Sequence, residues 1–403
     1  MKSFSNSPLS ATLLISLALN PSAVLADGHE QPFEFSGFMR LAAGYLDESN
    51  ATFAGYDDSI SIDNHSLLGL QADYRISDNI TLAAQLLAHS NDDRNSGVEW
   101  LYANFTFDPQ WQMKVGRLRT PFFRYSNVID VGFAYPWVTT PTQLYNGYVF
   151  TNFDGVNVSY QNSWEQFNFN VDAYWGVYDD TVSLNDISFD LDIGGIGGVL
   201  FTVQQNNTKF RLSYNLSNDL EAHIEEFAQL SSLYESAGFA RNAEAFLFND
   251  SIGAYLVGFE HFDVDYFVAA EFIFADSNIP VVASFDNYYV TAGLNFPPYQ
   301  IFATYASSDA AFDFPDNEVP LGLSPQLDQL YFVYETAVSQ LPVDNLDSIA
   351  LGARWDITPT VALKAEVTWL DGQDGTQAYF AISDPQNFDR KATLYQISVD
   401  WVF

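Results

Sequence analysis

The sequence predicts an all-β fold, a closed antiparallel barrel of about sixteen strands that crosses a membrane. Three observations carry this expectation. Apolar and polar residues alternate over short segments along the chain, the period-two pattern of strands with one apolar face. The connections between those segments alternate between tight turns and long polar stretches, as the two unlike ends of a membrane barrel require. The last segment, Tyr395-x-Ile397-x-Val399-x-Trp401-x-Phe403, keeps alternating through to Phe403. Pairing it with the first strand would leave no open edge in lipid.

Composition narrows the function classes. The chain has 403 residues, 16 % of them aromatic, and no cysteine, so disulfides and thiolate chemistry are excluded. Fifteen Lys and Arg face 51 Asp and Glu, for a formal charge of -36, which argues against nucleic acid as a partner because phosphate binding needs basic surface. Lys2, the apolar run Leu9 to Leu19 and Ala23-Val24-Leu25-Ala26 predict an export signal over 1–26. The expected mature chain, 27–403, is a single barrel domain. No stretch approaches eighteen uninterrupted apolar residues, so strands must do any spanning.

The elements follow in order. In Phe33 to Tyr45, Phe33, Phe35, Gly37, Met39, Leu41, Ala43 and Tyr45 share a face, while Glu34, Ser36, Arg40 and Ala42 share the other; Phe38 breaks the pattern. An acidic connection, Asp47 to Asn64, leads to a strand with Leu68, Leu70, Ala72, Tyr74 and Ile76 on one face. After the turn Ser77-Asp78-Asn79, Ile80, Leu82, Ala84, Leu86 and Ala88 point outward, and Thr81, Gln85 and His89 inward. Further tight turns fall at Asp108-Pro109-Gln110, Ser163, Asn206-Asn207, His261, Pro297-Pro298 and Thr358-Pro359. Long connections are expected at 91–97, 120–151, 179–192, 217–250, 276–286, 308–346 and 371–391, with strands near ten residues, enough for a tilted span. Aromatics gather toward strand ends (Trp111, Trp175, Tyr288, Trp355, Trp369), as in interfacial girdles. Helical spacing in Asn218 to Gly238, and again in Leu327 to Leu341, predicts short helices inside long connections.

The C-terminal strand Tyr395, Ile397, Val399, Trp401 and Phe403 resembles the assembly signal of Gram-negative outer-membrane barrels. The whole mature chain resembles the sixteen-stranded bacterial porins, including a long third external loop beginning near Thr120. The segment Val115-Gly116-Arg117-Leu118-Arg119-Thr120-Pro121-Phe122 is similar to the strand-to-loop junction of phosphate-selective-type porins. This resemblance implies an outer-membrane location in contact with lipid, a homotrimer with one pore per subunit, and passage of small hydrophilic solutes.

Lys114, Arg117, Arg119 and Arg124 stand together at the start of the stretch 114–151. The expected constriction set is Arg117, Arg119, Arg124, Tyr125, Asp130 and Asp154, with the loop 120–151 folded into the barrel mouth. Strict alternation from Trp111, Met113 and Val115 would put Arg117 and Arg119 in lipid, at about 2–4 kcal/mol each near the midplane. Gly116 predicts a bulge that turns both inward; the alternative is that both lie above the hydrocarbon, at the headgroups. Phe122, Phe123, Tyr125, Phe133, Tyr135, Trp137 and Tyr145 are expected to pack the loop against the inner wall. Acidic connections such as Asp57-Asp58 and Asp179-Asp180 read as solvated, cation-attracting loops, since no calcium-loop spacing occurs. The five histidines are scattered, and neither Gly-x-Ser-x-Gly nor His-Glu-x-x-His is present, so no enzyme, metal or cofactor is expected. The reading is a passive diffusion channel, weakly cation-selective. Its alternative is a substrate-selective channel whose arginines bind an anionic solute.

Overall fold

The computed structural model describes residues 32–90, 96–145, 151–184 and 187–403; the expected export signal lies outside them. Phe33–Phe403 forms one compact unit. In chain order its strands are β1 (Phe33–Leu46), β2 (Ala51–Phe53), β3 (Leu67–Ser77), β4 (Ile80–His89), β5 (Gly97–Thr106) and β6 (Trp111–Arg119). Then come β7 (Asn152–Trp164), β8 (Phe167–Leu184), β9 (Ile187–Gln205), β10 (Thr208–Ala222), β11 (Ile252–Phe262) and β12 (Tyr266–Ser277). The last are β13 (Ser284–Phe296), β14 (Tyr299–Ala311), β15 (Leu346–Thr358), β16 (Val361–Gly372), β17 (Phe380–Ile382) and β18 (Lys391–Val402). All but β2 and β17 close into one sixteen-stranded antiparallel barrel, in which β1 pairs with β18 and β18 with β16.

Alternation sets the two faces. Outward residues such as Leu70, Leu86, Leu212, Val257, Ile301 and Ile397 are exposed apolar groups, an exterior suited to hydrocarbon. Toward the strand ends aromatic pairs take over, including Trp111 with Tyr160 and Tyr299 with Trp355 near the short turns, and Tyr214 with Tyr255 and Tyr45 with Tyr395 near the long connections. The inward face carries buried Ser, Thr, Asn, Gln, Glu and Asp.

Phe38, the residue that broke the pattern, points inward and is buried. It is paired with Gly69 on β3, where a Cβ would collide with the Phe38 ring. The same large-against-small packing recurs with Phe267 over Gly293 and Phe302 over Gly352, filling inner positions without widening the strand spacing.

The long-connection end differs from expectation in two places. The span 179–192 is a continuation of β8 and β9, with Asp179 opposite Asp192 and Val182 opposite Phe189; Val182 and Leu191 are buried there, so the pair of strands gains a core above the barrel. The helix expected from Asn218 begins later, because Leu220 and Glu221 still pair with β9. Helix α2 covers Glu225–Ala237 and stops at Gly238 in the left-handed conformation, the usual helix ending for glycine. The second expected helix, α3, covers Pro325–Ser339, close to the expected bounds, and is started by Ser324, whose side chain accepts from the Leu327 N–H. Tyr234, Phe246, Ile279, Val319 and Tyr334 bury one another above the barrel mouth.

We expect Gly69→Val to cost about 1–3 kcal/mol of stability, as overpacking does. Urea unfolding in lipid vesicles checks this, and Phe38→Ala in the same chain should restore much of the loss.

Candidate functional site

The connection from β6 to β7 leaves the wall and crosses the barrel interior. Two single-turn helices shape its first part, Ser126–Val128 and Gly132–Ala134, and α1 (Thr142–Tyr145) ends the described portion. Phe123, Tyr125, Tyr135, Trp137 and Tyr145 are buried with Leu256, Phe267, Ile273, Tyr289 and Phe302 from the inner wall. Trp137, 1 % exposed, donates its Nε1–H to Thr304 Oγ1 at 2.7 Å and meets Tyr289 edge to face. Aromatic bodies thus supply buried area while their polar tips find partners on a polar wall.

Ionic groups on the strands hold the loop backbone. Arg40 of β1 pairs with Asp400 of β18 at 3.0 Å and donates to the Tyr135 hydroxyl at 2.5 Å. Lys364 of β16 donates to the carbonyls of Gly132 and Trp137 at 2.5 and 2.7 Å and lies 3.2 Å from Asp400. Arg354 donates to the Phe133 carbonyl at 2.7 Å, and Arg211 to those of Phe122, Phe123 and Pro121. Glu271 accepts from the Arg124 N–H, the Tyr145 hydroxyl and the Tyr289 hydroxyl, and Glu366 from the Val138 N–H. Only glycine fits at 132, because a Cβ there would strike the Asp400 carboxylate and the Arg40 guanidinium. Burial, and after it the nearby Glu271 charge, pushes the Tyr145 phenol well above its usual pKa, so it remains a donor.

The expected constriction residues divide into two groups. Arg119 is buried and pairs with Asp130 at 2.6 Å and Glu99 at 3.2 Å. Arg124 pairs with Glu260 at 2.5 Å and stacks over Tyr125, 4.4 Å from the ring centre. Arg117 and Asp154 form their own pair, Nε to Oδ1 at 3.2 Å, but on the outer face. Gly116 has φ +136°, yet pairing to β5 and β7 runs through it without a register shift. Arg117 therefore shares the face of Val115 and sits opposite Leu101 and Asp154. This corrects the expected bulge at Gly116. The register shift lies instead between Gln85 and Leu86 of β4 and the residues opposite them on β5, where Glu99 is the extra residue. Arg119, the last residue of β6, is drawn into the interior by its buried pairs with Glu99 and Asp130.

The loop covers one side of the interior. On β11–β16, β18 and β1, inward polar groups such as Thr304, Ser348, Glu366 and Gln396 are buried. On β3 and β5–β8, Asp73, Asn104, Lys114, Asn157 and Asp172 also point inward but keep part of their surface accessible. Arg40, Lys364, Glu366 and Asp400 escaped sequence reasoning. Their signal was present: each is a charge at an inward position of a strongly alternating strand.

No family model and no curated protein matches the sequence. Among solved structures, the chain is similar to a loop L8 deletion mutant of OmpT, an outer membrane protein of Vibrio cholerae (14 % identity, TM-score 0.55, 92 % of this chain and 99 % of that one). It is also similar to Salmonella typhi OmpF in complex with daunomycin (12 %, 0.56, 92 % and 97 %). A third is an anion-selective porin from Comamonas acidovorans (12 %, 0.54, 92 % and 99 %). The Vibrio protein is also known in a trimer form (14 %, 0.52, 92 % and 99 %). At these identities the likeness is one of fold: a porin-type barrel.

Arg119→Ala should cost about 3–5 kcal/mol, because Asp130 and Glu99 would stay buried without their cation. Arg117→Ala should cost at most about 1 kcal/mol, its pair with Asp154 being 33 % and 55 % exposed. Unfolding of both variants in lipid vesicles checks the contrast.

Proposed function

We propose that this chain is an outer-membrane porin, a passive diffusion channel for small hydrophilic solutes and ions. The observation that carries the reading is the loop from Thr120 toward Thr151, bound along one inner wall while the opposite wall stays accessible. Solutes would pass between the loop and the wall of β3 and β5–β8, and the loop would set the size limit. The apolar exterior supports outer-membrane lipid as the barrel's surroundings. The fold and the trimer form of the Vibrio protein support a homotrimer, reached after export with the segment 1–26 removed. The strand from Tyr395 to Phe403, which closes on β1, is proposed as the assembly signal.

Weak cation preference follows from the excess of carboxylates, which raises local cation concentration at the mouths. The fold does not set the sign, since a neighbour of the same architecture is described as anion-selective. An arginine-lined site for an anionic solute is disfavoured by the pairings: Arg119 and Arg124 already face carboxylates, and Arg117 looks outward. We propose no catalytic role, because the sequence offers no nucleophile or metal motif for one.

Purified protein in a planar bilayer under a KCl gradient should give channel steps with a modestly cation-selective reversal potential. Arg124→Ala, which leaves Glu260 with Lys209 alone, should strengthen that preference, and Arg117→Ala should not change it. Folded protein that gives no steps would contradict the channel reading.

A further inference from the structure

We infer that the accessible wall carries a binding subsite for uncharged, hydroxyl-rich solutes such as small saccharides, at the short-turn end of the lumen. The inference rests on the channel reading and deepens it by naming a solute class.

A cavity of about 550 Å³ opens there on the inner face of β7, β8 and β9, within the range of about 300–1,000 Å³ common to small-ligand sites. No residue lining it carries a charge; amides and hydroxyls dominate. Strand register arranges them in rows. Gln161 lies opposite Asn170, which lies opposite Thr202, and in the next row Asn168 lies opposite Gln204. Neighbouring strands are about 4.8 Å apart, so each row is a ladder of polar groups that a chain of hydroxyls can follow.

An amide offers a donor and an acceptor together, as a hydroxyl does. A saccharide hydroxyl can therefore be matched in both senses, whereas an ion would lose water and find no opposite charge among the lining residues. The amides are also oriented in advance. Gln161 donates Nε2–H to the Pro109 carbonyl at 2.9 Å, and Gln204 donates to the Asn206 carbonyl at 3.0 Å. Ser163 donates to Asn168 Oδ1 at 2.7 Å, and Asn170 is held by Asp172. Among the described residues this leaves the amide oxygens of Gln161 and Gln204 and the Nδ2 of Asn168 without a protein partner. Farther up the same wall Asn104 Oδ1 is a buried acceptor that no described residue satisfies. Pre-oriented, unfilled hydrogen-bonding groups reduce the ordering cost of a ligand that supplies the complementary ones.

The test is block of ion current in planar bilayers by raffinose added at the short-turn side, compared with polyethylene glycol of matched hydrodynamic radius. Raffinose should half-block at a concentration about tenfold below the polymer, the effect of one or two net hydrogen bonds. Asn168→Ala with Gln204→Ala should bring raffinose to the polymer's value while KCl conductance stays at the wild-type level, which shows the barrel intact. Thr202→Val, nearly the same in shape, serves as the second variant if the pair does not fold, and should weaken raffinose alone. Equal block by both solutes in a conducting wild-type channel would overturn the subsite and leave the channel reading standing. Absence of any conductance would overturn both.

Discussion

The structure depends on one buried ionic cluster, Arg40, Asp400 and Lys364, set where the barrel closes. Arg40 and Asp400 are direct cross-strand neighbours in the pairing of β1 with β18, and Lys364 stands two strands from β1 on β16. Isolated buried charges are costly, and such a cluster is tolerable only when every member is paired and hydrogen-bonded. Here the loop completes the set, with the Tyr135 hydroxyl for Arg40 and the Gly132 and Trp137 carbonyls for Lys364. Closure of the barrel and docking of the loop are therefore linked: Lys364 reaches Asp400 from the neighbouring strand β16, Arg40 joins them only when the first and last strands pair, and the loop then finds both cations side by side.

From that fixed point the rest of the interior follows. Polar wall groups on β11–β16 and β18 would be water-facing in an empty barrel. The loop replaces the water with backbone and aromatic partners, so Glu271, Glu366, Thr304 and Ser348 are all engaged. The opposite wall receives no such cover and keeps its amides and the separated charges Asp73, Lys114 and Asp172. Lys114 illustrates the difference: its Nζ lies 5.2 Å over the Tyr102 ring, and it makes no ion pair within 4 Å among the described residues. One half of the interior is thus bound by the loop, and the other half is accessible.

The barrel was legible because period-two alternation and the contrast of turn lengths are long, repeated signals. Errors fell where one residue decides. Parity at Gly116 could not be read from sequence, since a glycine with positive φ can distort a strand without shifting its register. The actual shift on β5 lies at Glu99, two residues after Gly97, which opens the strand and so reads in the sequence as the end of a connection and not as a bulge. Leu220 fits a helical stripe and a strand alternation equally well, and its pairing with Ile193 settled the matter. The ion pairs of the loop were half legible. Arg119, Arg124, Tyr125 and Asp130 share the loop's sequence neighbourhood, whereas their wall partners Glu99 and Glu260 are joined to them only by tertiary folding.

Because the chain contains no cysteine, single introduced thiols report on the lumen without background. The most direct measurement is therefore single-channel current from Asn157→Cys and from Ser348→Cys during exposure to a charged, membrane-impermeant thiol reagent. The account predicts a stepwise fall in current for Asn157→Cys, on the accessible wall, and no change for Ser348→Cys, covered by Gln143 of the loop. Modification of Ser348→Cys with Asn157→Cys left untouched would contradict it.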